Sequence, residues 1–143
     1  MILIKQHPPW IWISSLFIVF FGLKTIESGG SVLFFDGQAR LAAGHYVLFV
    51  LWFNFIAGFF YVVAGIGLWY RKNWALILSV LLAFSTILVF AAFGIYIYNG
   101  GDYEQRTIAA MTLRSIIWVV VSIKAYDVIV NTKLINQTTK SII

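Results

Sequence analysis

The stretch Trp74–Tyr98, WALILSVLLAFSTILVFAAFGIYIY, decides the fold because it contains no charged residue. About 20 consecutive apolar residues in a helix cross the roughly 30 Å hydrocarbon core of a bilayer. Lipid offers no partner for backbone N–H and C=O groups, so an apolar stretch of this kind must be helical when it crosses the core. The stretch therefore predicts a transmembrane helix.

Apolar stretches also lie on both sides of this one. The four stretches are Trp10–Ile26, Tyr46–Trp69, Trp74–Tyr98 and Thr107–Val130. They leave only short connections and a polar tail, 131–143, which we expect to be disordered. The chain is therefore predicted to be a single transmembrane domain, residues 1–143, with an all-α fold.

Composition favours the same interpretation. Hydrophobic residues make up 62% of the chain and charged residues 10%, whereas soluble domains contain about 25% charged residues. The net charge is +5, but the basic residues lie mostly at predicted helix ends. They are therefore interpreted as topology signals and contacts to membrane lipid, and no nucleic-acid partner is predicted. The chain has no cysteine, which excludes disulfides, thiolate metal sites and a cysteine nucleophile.

The basic residues also predict the orientation. The short turn Arg71-Lys72-Asn73 is the best marker, because short loops rich in Lys and Arg stay on the cytoplasmic side. Placing it inside gives an N-in, C-in topology. Further basic residues on the inner side are then Lys5, Lys124, Lys133 and Lys140.

The first outer loop is expected to contain a short interfacial segment. Ser28-Gly29-Gly30 predicts the end of the first helix. The following Val32–Phe35 is too apolar for a solvated loop. Asp36 and Arg40 stand four residues apart and would pair on a helix. We therefore expect a short helix that lies on the membrane surface.

Small and polar residues recur at helical spacing within the last three stretches. Residues of this kind form helix contacts in lipid, because they allow close backbones and hydrogen bonds. The three stripes are therefore predicted to face one another in a left-handed four-helix bundle. Their members are Asn54, Gly58, Tyr61 and Gly65, then Ser79, Ala83 and Thr86, then Thr107, Ala110, Arg114, Trp118, Ser122 and Ala125.

Arg114, within the fourth stretch, is the strongest candidate for a ligand-binding residue. An arginine inside a membrane costs about 2.5 kcal/mol or more, so it normally finds a partner. One interpretation is structural: Arg114 clamps the helix to Glu104, Glu27 or Asp36 on the same side. The other is functional: Arg114 binds an anion, a quinone carbonyl or a lipid headgroup, with Trp118 stacked one turn deeper.

Other polar residues are weaker candidates. His45, at the start of the second stretch, could exchange a proton or simply lie at the interface. Asn54 is expected to form a hydrogen bond between helices. Lys124 and Asp127, three residues apart, are expected to form a local pair near the inner end of the fourth stretch.

No catalytic residue and no metal site is predicted. His7 and His45 are the two histidines, and they fall on opposite sides of the membrane, which excludes a bis-histidine haem within this chain. Neither a phosphate-binding loop nor a nucleophile elbow is present. The chain is therefore predicted to need no cofactor of its own, with a quinone or lipid left open as a ligand.

Three motifs lead to a family resemblance. Phe20-Phe21-Gly22-Leu23-Lys24 ends the first stretch, Ala64-Gly65-Ile66-Gly67-Leu68-Trp69 ends the second, and Trp74-Ala75 opens the third after a basic turn. Residues 10–98 thereby resemble the DoxX-like group of small four-helix bacterial membrane proteins. The resemblance implies a bacterial inner (plasma) membrane. Some relatives are linked to thiosulfate:quinone oxidoreduction or redox-stress complexes, but the lack of cysteine argues against thiol chemistry here.

Three functional hypotheses follow, in order of preference. The first is an accessory subunit of a larger respiratory or redox membrane complex, without catalytic activity of its own, with other membrane subunits or copies of itself as partners. The second is a quinone- or lipid-headgroup-binding protein that uses Arg114. The third is an oligomeric channel or transporter.

Overall fold

The structure, a computed structural model, describes residues 9–142. Lys5 and His7 lie outside this range. The described residues form helices and connections, without a strand, and four of the helices are long and apolar enough to cross a membrane. The predicted all-α fold is confirmed, and the four candidate membrane-spanning helices support a multi-pass membrane protein. The helices are α1 (Pro9–Phe34), α2 (Gln38–Ala43), α3 (Leu48–Trp69), α4 (Asn73–Tyr98) and α5 (Gln105–Ile142).

The first helix is longer than predicted, because Ser28-Gly29-Gly30 does not end it. Helix α1 continues to Phe34 instead of ending at Ile26. Both glycines lie against Phe55 of α3, at 3.1 and 3.3 Å from a Cβ added at either position. Glycine weakens a helix in water, but here its lack of a side chain allows α3 to approach closely.

The short loop helix forms, but later in the chain than expected. Helix α2 starts at Gln38, after the apolar Val32–Phe35, of which all but Phe35 belong to α1. Phe34 is exposed over more than half of its surface but still contacts α3. Its ring packs edge-on against Trp52 (5.9 Å between centroids) and Phe55 (5.4 Å) of α3.

Arg40 joins α2 to the end of α1. Its guanidinium forms an ion pair with Asp36, as the spacing predicts, and donates to the backbone carbonyls of Val32 (2.9 Å) and Leu33 (3.0 Å). The last carbonyls of a helix lack partners within the helix, and a cation there interacts favourably with the helix dipole. Arg40 therefore caps α1.

The last helix contradicts the expectation of a disordered tail. Helix α5 runs for 38 residues to Ile142, about 57 Å at 1.5 Å per residue. No glycine or proline follows Val130, so nothing in the tail interrupts the helix. Because the hydrocarbon core measures only about 30 Å, a large part of α5 extends beyond it.

Helices α1 and α3 pack antiparallel at very close range. A Cβ added at Gly58 would lie 3.2 Å from the Gly22 carbonyl oxygen, and one added at Gly65 would lie 3.1 Å from that of Ser15. The prediction that Gly58 and Gly65 face the third and fourth stretches is therefore wrong. They face α1, because only glycine allows two backbones to approach this closely.

The chain reverses between α3 and α4 at residues 70–72, and again between α4 and α5. This defines two ends of the molecule. The α2 side carries α2 and the connection 99–104. The Arg71 side carries the turn 70–72 and the start of α1.

Large aromatic side chains fill the space between α3, α4 and α5. Trp118, Tyr61 and Phe93 are fully buried, and the rings of Tyr61 and Trp118 lie 4.8 Å apart. Ser79 and Thr86 of α4 are buried beside them. The Ser79 hydroxyl donates to the carbonyl of Ala75 in its own helix (2.7 Å).

Candidate functional site

A cavity of about 190 Å³ lies between α1, α3 and α5 on the α2 side. Polar side chains from α3 and α5 line it, among them Asn54, Glu104, Arg106 and Arg114. A cavity of about 150 Å³ accepts benzene, whereas pockets for drug-sized ligands begin at roughly 300 Å³. The space therefore suits one ring or one headgroup.

Arg114 reaches the cavity from inside the membrane-spanning part of α5. It lies nine residues after Gln105, about 14 Å along the helix axis. Its guanidinium carbon is 5.8 Å from the centroid of the Phe21 ring. Its Nε is buried, and within residues 9–142 Arg114 makes neither a hydrogen bond nor an ion pair.

The carboxylates expected to clamp Arg114 are engaged elsewhere. Glu27 pairs with Lys24 at 2.7 Å, and Asp36 pairs with Arg40. Glu104 lines the same cavity as Arg114, but its Oε1 accepts a hydrogen bond from a backbone N–H. The structural interpretation of Arg114 therefore lacks its partner, and the positive charge remains available to a ligand.

The connection between α2 and α3 covers the cavity and is fastened to the start of α5. The His45 backbone N–H donates to Glu104 Oε1 (3.1 Å), and the Arg106 guanidinium donates to the Ala42 carbonyl (3.3 Å). Gly44 has φ 60°, and a Cβ there would collide with the Glu104 carboxylate. Glu104 and Arg106 thus hold the connection between α2 and α3, which we call the cover of the cavity, in place. Arg114 takes no part in this.

Asn54 lines the cavity from α3. Its side-chain amide oxygen is buried and accepts no hydrogen bond from the described residues, so the expected hydrogen bond between helices is absent. A buried polar atom without a partner costs about 1–3 kcal/mol. Asn54 and Arg114 therefore bring two unpaired hydrogen-bonding groups to one small space.

Polar atoms continue from Arg114 into the interior between the helices. The Tyr61 hydroxyl faces the Thr86 hydroxyl and the Trp118 indole N–H, and Arg114 lies within electrostatic range of it. No hydrogen bond of normal geometry joins the side-chain polar atoms of Tyr61, Thr86 or Trp118 to any described residue. These three side chains are fully buried, so they form a polar floor below the cavity that water from outside does not reach.

Of the predicted ligand-binding residues, two line the cavity and two do not. Arg114 and Glu104 line one cavity, whereas Trp118 packs deeper against Tyr61. His45 is exposed and contributes its backbone N–H instead of its imidazole.

Several lining residues were not found from the sequence. On α1 they are Thr25, Ser28, Gly29 and Val32, whose spacing of three, four and seven residues marks one helix face. The assumed helix end at Ile26 hid this signal. Tyr46 and Arg106 were missed as well, because nothing in their local pattern shows that the loop closes over α5. Thr107 was identified only as a member of the helix-packing stripe.

Within residues 9–142, no group of three or more His, Asp or Glu side chains is placed to hold a metal ion. Comparison of the chain with models of known families, with curated proteins and with solved structures finds no match. Function is therefore inferred from the geometry of the cavity.

Proposed function

We propose that this protein binds a quinone or a lipid headgroup in the cavity on the α2 side. Arg114 donates hydrogen bonds to an acceptor oxygen of the ligand. This oxygen is a carbonyl oxygen in a quinone and a phosphate oxygen in a lipid headgroup. One observation carries the proposal: Arg114 lines the cavity, and no described carboxylate pairs with it. A charge held in this way is costly in a membrane protein unless a ligand compensates it.

The size and chemistry of the cavity support this ligand class. About 190 Å³ admits one quinone ring or one phosphate group. The planar guanidinium of Arg114 suits phosphate and carbonyl oxygens, because its N–H donors point in fixed directions. Asn54 and Thr107 line the same space and can form further hydrogen bonds with a bound ligand.

The alternative functions have less support. The accessory-subunit hypothesis draws on the small extramembrane mass of the chain and on its small-residue faces, but two residues of those faces, Gly58 and Gly65, are covered by α1 of the same chain. The channel hypothesis needs an aqueous path, and Trp118, Tyr61 and Phe93 fill the interior of one chain, so such a path would have to form between copies. The hypothesis of a quinone- or lipid-headgroup-binding protein therefore ranks first.

Orientation and location are part of the proposal. The basic pair Arg71-Lys72 favours placing the Arg71 side in the cytoplasm, which puts the cavity on the outer side of a bacterial inner membrane. The helices would then form an N-in, C-in bundle of the kind that the DoxX-like resemblance implies.

A ligand-dependent stability measurement tests the proposal. Delipidated protein in mild detergent is heated alone, with a short-chain benzoquinone, and with a short-chain phosphatidylglycerol. We expect one ligand to raise the melting temperature of the native protein, since a ligand at 100 times its Kd adds about 2.7 kcal/mol. Arg114→Gln should abolish this stabilisation but leave the ligand-free melting temperature nearly unchanged.

Lys133→Gln is the matched control, because Lys133 is an exposed cation of the same helix, outside the cavity. It should keep the full ligand effect. The proposal fails if neither ligand stabilises the native protein, or if Arg114→Gln keeps the stabilisation. If Arg114→Gln strongly lowers the melting temperature of the ligand-free protein and Glu104→Gln does the same, the result would instead support the structural interpretation, in which Glu104 clamps Arg114.

A further inference from the structure

A second, apolar groove runs between α1 and α5 on the other side of the molecule. Helix α1 packs along α3, and α5 packs along α4, which leaves a gap between α1 and α5. Two neighbouring spaces of about 50 and 350 Å³ lie in this gap. Ser14 and Val120 line both spaces, so the two are adjacent along the groove.

The two ends of the groove differ in chemistry. The end on the Arg71 side is lined by Lys124, Trp10 and the hydroxyls of Ser14 and Ser15. The deeper part is lined by apolar side chains such as Phe17 and Ile117. A cation and hydroxyls at the membrane surface, followed by an apolar channel, match the layout of a phospholipid.

Two polar groups at the surface end lack partners. Lys124 does not pair with Asp127, contrary to the prediction, and makes no ion pair elsewhere in residues 9–142. Ser15 is 1% exposed, and its hydroxyl makes no hydrogen bond to any described residue. The Ser15 hydroxyl, in a residue that lines this end of the groove, therefore has no acceptor among the described residues.

We propose that this groove binds an anionic phospholipid from the leaflet on the Arg71 side. The phosphate binds Lys124, the glycerol ester region reaches Ser14, and one acyl chain lies between α1 and α5. The site is separate from the cavity at Arg114 and does not depend on the function proposed for that cavity.

The dimensions favour an acyl chain over a protein helix. A helix with its side chains is about 10 Å wide, so 15 Å of it occupies roughly 1,200 Å³. The larger space in the groove is about 350 Å³. A second copy of the chain would therefore have to separate α1 from α5 in order to enter.

Binding is measured by native mass spectrometry of delipidated protein titrated with phosphatidylglycerol or with zwitterionic phosphatidylcholine. The native protein should bind phosphatidylglycerol more tightly. Lys124→Gln should weaken phosphatidylglycerol binding about fivefold, as expected for one lysine at an anionic surface, and should weaken phosphatidylcholine binding less, because the choline ammonium offsets the charge of its phosphate. Lys133→Gln, in the same helix but outside the groove, should change neither.

A second variant tests the groove itself. Ser14→Phe places a ring at a position that lines both spaces of the groove, and should lower phosphatidylglycerol binding at least tenfold. Val80→Phe adds the same ring to an exposed position of α4 and should have no effect. All titrations are repeated with Arg114→Gln, so that lipid in the other cavity does not contribute.

Several outcomes would overturn the proposal. These are equal affinity of the native protein for both lipids, unchanged phosphatidylglycerol binding in Lys124→Gln, or unchanged binding in Ser14→Phe. A lipid-free dimer that Ser14→Phe dissociates would show that a second copy occupies the groove.

Discussion

Between α1 and α3, backbone lies against backbone at Gly22 and Gly58, and the chain's own atoms complete the contact. Around Arg114 the opposite holds. Polar atoms of Asn54, Tyr61 and Trp118, together with Arg114 Nε, are buried without partners among the described residues. The first region has what a stable helix pair needs, whereas the second has donors and acceptors that the protein leaves unpaired. The first region accounts for stability within the chain, and the second is the one to which we assign a ligand in the proposed function.

A large loss of stability is expected from filling the contact between α1 and α3. Gly58→Leu should lower the free energy of unfolding by about 3 kcal/mol, because overpacking forces the surrounding backbone to move. A Cβ alone would lie 2.8 Å from Ile26 Cγ1. Unfolding in mixed micelles titrated with dodecyl sulfate measures the loss.

Gly94→Leu is the matched control, since a Cβ at Gly94 in α4 meets nothing within 4 Å. It should be neutral or stabilise by up to about 0.8 kcal/mol through helix propensity. Equal losses from Gly58→Leu and Gly94→Leu would mean that the close contact is unimportant for stability.

A smaller effect is expected at the cover of the cavity. Glu104→Ala should lower the free energy of unfolding by about 1.5 kcal/mol, because the His45 N–H loses a charged acceptor. Proteolysis or hydrogen exchange of residues 38–46 should increase in this variant. If neither quantity changes, Glu104 does not fasten the loop.

The smallest effect is expected at the polar floor. Tyr61→Phe removes a hydroxyl that makes no hydrogen bond of normal geometry, so the free energy of unfolding should change by no more than about 0.5 kcal/mol. Trp118→Ala in the same cluster is the contrasting variant, with an expected loss of about 3–5 kcal/mol from the cavity it creates. A loss above about 1.5 kcal/mol in Tyr61→Phe would show that its hydroxyl is paired in the folded protein.

The transmembrane helices could be predicted from the sequence because their signal is local. A long stretch without charge, such as Trp74–Tyr98, has one stable conformation in lipid. The helix ends were harder to predict from the sequence. Gly29 and Gly30 end helices in water, yet here they remain helical because Phe55 packs against them.

The site could be predicted only in part. Arg114 was identified because a charge within an apolar helix is conspicuous, and Glu104 because it lies on the same side. Neither the absence of an ion pair between them nor the cover over the cavity could be predicted. Both depend on the Glu104 contact with the His45 backbone, which joins residues 59 positions apart.

The central claim is that Arg114 is free for a ligand, and a double-mutant cycle tests it most directly. The free energy of unfolding is measured without ligand for the native protein, Arg114→Gln, Glu104→Ala and the double variant. The structure predicts a coupling energy below about 0.5 kcal/mol, as for residues that share no interaction. A coupling above about 1.5 kcal/mol would show that Glu104 clamps Arg114, and would contradict the account.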